Sequence, residues 1–207
     1  MSTWISRVAG PILLLTALSA CAGLNDAAAT RISVMDGSVA LAAPRGYCVD
    51  RTALRDTTRG AFVLFGSCAA LAPGPFSPAP RPRAVLTATV APPRAGAAPP
   101  PTEWTERMTA FVASTDGRRA LSRDRTAGSV QILRTRVDDG VFYIRLRDSS
   151  ATAGPRVAPD YWRAILDIDR HMITLSILAL EDASIDAATG ESVIRIFAKR
   201  VRAANRP

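Results

Sequence analysis

The side chains best equipped for chemistry are few: one histidine, His171, and three cysteines, Cys21, Cys48 and Cys68, against 18 acidic and 26 basic residues. A serine–histidine–acid triad would have to use His171. No Gly-x-Ser-x-Gly elbow occurs, however, and the histidine directly follows an expected turn at Asp169-Arg170, which reads as a solvent-facing position. There is no His-Glu-x-x-His pair and no Gly-x-x-x-x-Gly-Lys loop, so zinc-protease and P-loop chemistry have no residues to act through. The histidine and cysteine counts exclude most metal sites, and no cofactor is implied. Cys48 and Cys68 are far from the Cys-x-x-Cys spacing of a redox pair. Asp50, Asp56, Asp167 and Asp169 are the type of group that hydrolyses glycosides in pairs, but acids at this density occur on any soluble surface.

The third cysteine has a different setting. Arg7 gives a short positive region, and Val8 to Ala20 is apolar apart from Gly10, Thr16 and Ser19. That run is too short for a bilayer span of roughly 20 residues, and it has the anatomy of a signal peptide. Leu18-Ser19-Ala20-Cys21 then resembles the lipobox of bacterial lipoproteins. The resemblance implies cleavage before Cys21, a diacylglyceryl group on its sulfur, and a tether over residues 21–30. An ordinary secretory signal cut after Ala20 or Ala22 is the rival reading. Ala22 stands where an inner-membrane retention signal would place aspartate, which favours the outer membrane. Two or three acyl chains hold a protein firmly, since each buried methylene contributes about 0.8 kcal/mol. No other stretch approaches the length of a spanning helix.

Export into an oxidising compartment would leave Cys48 and Cys68 to pair. The loop of about 20 residues so closed contributes about 3 kcal/mol in the chain-entropy model. Two buried free thiols are the alternative.

A single α+β domain is expected over residues 31–205. Ile32 to Leu41 reads as a hairpin about Asp36-Gly37, with Val34 facing Val39 and Ile32 facing Leu41. Gly60 to Cys68, apolar on both faces, fits a central strand, and Ala84 to Ala91 alternates as another. Pro-rich loops at 73–82 and 92–101 flank the latter. Thr102 is expected to cap a helix presenting Trp104, Met108, Phe111 and Val112, and Ser114 or Thr115 a second one through Leu121. A hairpin about Asp139-Gly140 sets Val137 on Phe142, Thr135 on Ile144 and Leu133 on Leu146. Over Tyr161 to Ala179, Trp162, Ile165 and Leu166 also fit helical spacing, but a strand pair about Asp169-Arg170 explains more of the segment and sets Trp162, Ala164 and Leu166 on Ile177, Leu175 and Ile173. A helix over about Gly190 to Ala204 closes the chain, with Ile194, Phe197 and Val201 inward and Arg195, Lys199, Arg202 and Arg206 outward. The result is a mostly antiparallel sheet of about six or seven strands with a central and a C-terminal helix packed on it.

In that register Arg134, Arg136, Arg145 and Arg147 project from one side of the sheet, with Tyr143 among them. Arg134 lies directly opposite Arg145, and like charges across a ladder repel by a few tenths of a kcal/mol (~0.2–1). An anion between them would relieve that cost, because guanidinium forks suit phosphate or carboxylate. Splaying into water, or pairing with acids on a covering helix, would relieve it equally. Arginine outnumbers lysine 25 to 1, and coding bias alone produces such a surface. Beyond the signal segment the chain keeps an excess of basic side chains. An exported, anchored chain meets little nucleic acid, so the polyanions within reach are lipid headgroups and envelope polymers.

The element order resembles PsbP-like α/β/α sandwiches. Gly46-Tyr47-Cys48-Val49-Asp50, the Phe62 to Cys68 strand, Tyr161-Trp162-Arg163-Ala164 and the Val201 to Asn205 ending also resemble exported lipoproteins, without established activity, of GC-rich Gram-negative bacteria. Two function classes follow: a non-catalytic binding or assembly module held at a membrane, or a periplasmic enzyme using carboxylates or arginine in a cleft. Two facing carboxylates would favour the enzyme, and a closed sandwich with a basic face the module.

Overall fold

The computed structural model describes residues 29–74, 77–97, 99–150 and 157–206; Cys21, with the signal and most of the tether, lies outside them. Alternating apolar residues set the strands. The first two, β1 (Arg31–Val34) and β2 (Val39–Ala42), form a separate antiparallel pair, with Val34 on Val39 and Ile32 on Leu41 as the alternation predicts. The turn between them spends positive φ on Met35, Asp36 and Gly37. Then follow β3 (Tyr47–Thr57), β4 (Gly60–Ser67), the single turn α1 (Cys68–Leu71), β5 (Ala84–Val90), α2 (Pro101–Ala113) and α3 (Thr115–Leu121). The chain continues with β6 (Val130–Asp138), β7 (Val141–Asp148), β8 (Asp160–Ile168), β9 (His171–Ala179) and α4 (Ala187–Ala204).

Seven of these strands form one antiparallel sheet in the order β3-β4-β5-β9-β8-β7-β6, so the fold is α+β. The strand pair β8–β9 keeps the expected register of Trp162 on Ile177, Ala164 on Leu175 and Leu166 on Ile173. These apolar residues face α4, whose Ile194, Phe197 and Val201 are fully buried; β1 and β2 extend the same layer. The other face carries α2 and α3 on Phe142, Ile144, Leu146, Tyr161 and Ile165. A helix layer therefore lies on each side of the sheet.

Glycine permits one close approach here. A Cβ at Gly190 would stand 2.9 Å from Trp162 Cδ1. With none there, the Trp162 indole donates to Ala187 O at 3.0 Å, tying α4 to β8. The far end of α4 is fixed by Asn205, whose side chain accepts from Ala40 N (2.8 Å) and donates to Ala40 O (2.7 Å), pairing with β2 as a strand would.

Several expectations need correction. Strand β3 is an edge strand where none was expected. A bulge between Ile132 and Arg134 shifts the register, so Ile132, not Leu133, faces Leu146. Thr102 lies inside α2, which begins behind Pro100 with no side-chain cap. Ser114 does cap α3, accepting from Gly117 N at 3.0 Å. Phe111, expected on the buried face, is 44% exposed. The last helix begins at Ala187, capped by Asp186, which accepts from Thr189 N. His171 is buried, not solvent-facing, because the chain after β5 and the β1–β2 turn close on it: Nδ1 lies 2.8 Å from Ala91 O and Nε2 3.4 Å from Ser38 Oγ. Among the described residues no helix is long and apolar enough to cross a membrane.

Candidate functional site

The β6–β7 hairpin sets the arginine surface. Arg134 faces Arg145 and Arg136 faces Tyr143, while Arg147 lies opposite Gln131 beyond the bulge. Acids from distant elements enter this surface. Asp160, at the start of β8, takes Arg147 at 2.6 Å and Arg145 at 3.4 Å. Glu191 of α4 takes Arg136 at 3.3 Å, and Asp138 lies 3.7 Å from the same guanidinium. Asp138 also takes Arg195 of α4 at 2.6 Å. Arg134 is exposed and has no ion pair among the described residues. Tyr143 is buried under α4, and its burial pushes the phenol above its ordinary value of 10.0 while neighbouring Arg195 opposes the shift. The surface thus keeps one uncompensated guanidinium, with its forks largely filled by the protein's own carboxylates.

Cys48 and Cys68 are joined in a disulfide that ties β3 to the start of α1. Of the four sequence-selected carboxylates, Asp56 and Asp169 line one open cleft of about 700 Å³ together with Asp36 and His171, while Asp50 and Asp167 are not part of its lining. Asp50 accepts from Thr52 N and Oγ1, and the Thr52 hydroxyl leads the contacts that hold it below the ordinary carboxylate range. Asp56 accepts from Met35 N, and Asp167 pairs with Arg94 at 2.5 Å. Asp169 lies in the β8–β9 turn. No group of three or more acidic, histidine or cysteine side chains is placed to hold a metal among the described residues.

A groove of about 680 Å³ opens on the opposite face, between α2, the loop before it, and β8–β9. That volume falls within the range of small-molecule sites, roughly 300–1,000 Å³. It exists because α2 packs toward β6 and β7 and leaves the β8–β9 side of this face open. Its walls are Trp104, Met108, Phe111, Ile165 and Met172, and two of these, Phe111 and Met172, are 44% and 40% exposed. Its charged lining is Arg94, Arg107 and Arg163, with no carboxylate among the described lining residues.

Arg163 is the unusual member. Arg94 is paired with Asp167, and Arg107 with Glu103 at 3.5 Å. Arg163 rises from the middle of β8, between Tyr161 and Ile165 on the same face. Its guanidinium lies 5.3 Å from the Tyr161 ring centroid, and its shielded Nε has no hydrogen-bond partner among the described residues. A buried donor left without an acceptor costs about 1–3 kcal/mol. Nearby Arg123 shows the contrast, since Asp148 accepts from both its backbone N (2.8 Å) and its Nε (3.2 Å). Reading the sequence for motifs missed Arg163. The available signal was a lone arginine within the otherwise apolar run Tyr161 to Leu166, on the face it shares with Tyr161 and Ile165.

No family model matches the sequence, and no curated protein matches it. Among solved structures the chain is similar to the solution structure of cyanobacterial PsbP (CyanoP) from Synechocystis sp. PCC 6803, at 15% identity and a TM-score of 0.45, over 88% of this chain and 96% of that one.

Proposed function

We propose that this chain is a lipid-anchored protein of the cell envelope whose sandwich serves as a non-catalytic binding module. The observation that carries this reading is the apolar run that ends in Leu18-Ser19-Ala20-Cys21. Seven residues separate Cys21 from Ala29, where the described body begins, and the eight steps between the two positions, at about 3.3–3.6 Å each, reach no farther than roughly 29 Å. A lipid on Cys21 would therefore hold the sandwich against its membrane. Ala22 after the cysteine favours the outer membrane, with the body facing the periplasm.

The test is Cys21→Ser. The parent should incorporate labelled fatty acid and fractionate with membranes, while the variant should incorporate none and accumulate unprocessed or soluble. Labelling that persists in the variant would overturn the anchor.

Contact with anionic headgroups or envelope polymer is proposed for the arginine surface, and Arg134, exposed and unpaired among the described residues, is what supports it. Arg134→Gln with Arg145→Gln should weaken binding to anionic vesicles, and the parent's binding should fall with salt. Equal binding by parent and variant would remove the surface from the proposal.

A further inference from the structure

Beyond anchoring and surface contact, we infer that the groove beneath α2 binds a free fatty acid, with the carboxylate on Arg163 and the acyl chain between Trp104, Met108, Phe111 and Met172. Two independent features point to the same ligand chemistry. The walls are apolar, and Phe111 and Met172 hold large hydrophobic side chains toward solvent at the groove instead of packing into a core. Isolated exposed apolar residues need no explanation, but two lining one concave site mark a binding surface. The second feature is charge. Arg94 and Arg107 have their own acids, so Arg163 brings the one uncompensated positive charge among the described lining residues. Asp26 is the only acidic residue of the chain outside the described segments, and it belongs to the tether region.

A single negative charge on an apolar body completes this site, and a fatty carboxylate has that composition. The guanidinium presents a planar fork of N–H groups that donates to two carboxylate oxygens at once. Its Nε–H is already shielded and lacks an acceptor, so little desolvation of that donor remains when the ligand arrives. The Tyr161 ring holds the guanidinium plane from one side, which lowers the ordering cost of binding. A neutral amphiphile would leave the half-buried Arg163 guanidinium without a counter-charge, so the site discriminates by head group.

The whole processed chain in phosphatidylcholine nanodiscs is titrated calorimetrically with decanoate and with decanamide, using empty nanodiscs as the blank. If the chain is soluble and carries no lipid, the same titration runs in plain buffer, so the groove is tested independently of the anchor. Decanoate should bind saturably at one site and at least tenfold more tightly than decanamide. Arg163→Gln should abolish that preference. Phe111→Ser, at an exposed position that the fold does not need, should weaken both probes together. Heat released no greater than the blank, equal affinity for the two probes, or a preference that survives Arg163→Gln would each overturn the inference.

Discussion

Reducing the Cys48–Cys68 bond should destabilise the protein by about 3 kcal/mol. The bond spans 20 positions and closes the open end of the β3–β4 hairpin, where Tyr47 faces Ser67 and Cys48 faces Gly66. A loop of that length carries about 3 kcal/mol of closure entropy in the unfolded chain. The native side of the balance explains why the loss should be felt at one place. Strand β3 is the sheet edge, paired only with β4, and its register breaks between Asp50 and Arg55. Its inner end is anchored by buried Tyr47 and Val49 and by the Tyr47 hydroxyl donating to Pro82 O at 2.7 Å. For a body of this size, about 2–4 °C per kcal/mol converts the loss into a fall in Tm of about 6–12 °C. The assay is calorimetry of the oxidised protein with and without reductant, which isolates the cross-link from any change in side-chain volume. Cys48→Ala with Cys68→Ala should fall at least as far, and hydrogen exchange should place the earliest opening in β3. An unchanged Tm on full reduction, or fast alkylation of both thiols in the native protein as isolated, would refute the reasoning.

Asp148 is fully buried and paired with Arg123, so Asp148→Asn should cost about 3 kcal/mol by leaving that guanidinium uncompensated. Burial alone would raise the Asp148 carboxyl, but contacts from Ser150 and Arg123 hold it below its ordinary 3.8. The stability this carboxylate provides is therefore complete above about pH 4 and lost as pH falls through its depressed value. Acid titration of Tm should show a steeper fall below pH 4 in the parent than in the variant, and parallel curves would contradict the assignment. At Gly117 a Cβ would stand 1.8 Å from Phe111 O, on the backbone of α2. Gly117→Ala should consequently cost about 3 kcal/mol in denaturant unfolding by forcing α3 off α2, and a change below about 0.5 kcal/mol would count against that packing.

The elements that were legible in the sequence are those whose apolar residues pair across a turn residue. The facing pairs Val34 on Val39, and Trp162, Ala164 and Leu166 on Ile177, Leu175 and Ile173, are buried together in one register, so a one-residue slip is penalised at each of them. Strand β3 lacks that signal, because Asp50 to Thr57 is mostly polar and lies at an exposed edge. The bulge near Leu133 was hidden for the opposite reason: Ile132 and Leu133 are both apolar, so two registers satisfy the pattern equally. The arginines of β6–β7 were readable as a surface, but Asp160 and Glu191, which neutralise three of them, arrive from other strands and from α4. His171 looked exposed beside its turn, but Ala91 after β5 and Ser38 of the β1–β2 turn, both distant in sequence, lie against it. The groove depends on where α2 stops covering the sheet, which is a tertiary property that no local spacing encodes.

Membrane anchorage through Cys21 is tested most directly by mass spectrometry of the N-terminal peptide from protein isolated from the envelope. Trypsin should release a peptide that begins at Cys21 and ends at Arg31. The lipid-anchored account predicts that this peptide carries a diacylglyceryl group on sulfur, with or without a third acyl chain on the amine. A chain that still begins at Met1, or that begins after the signal segment with an unmodified Cys21 or without it, would contradict the account.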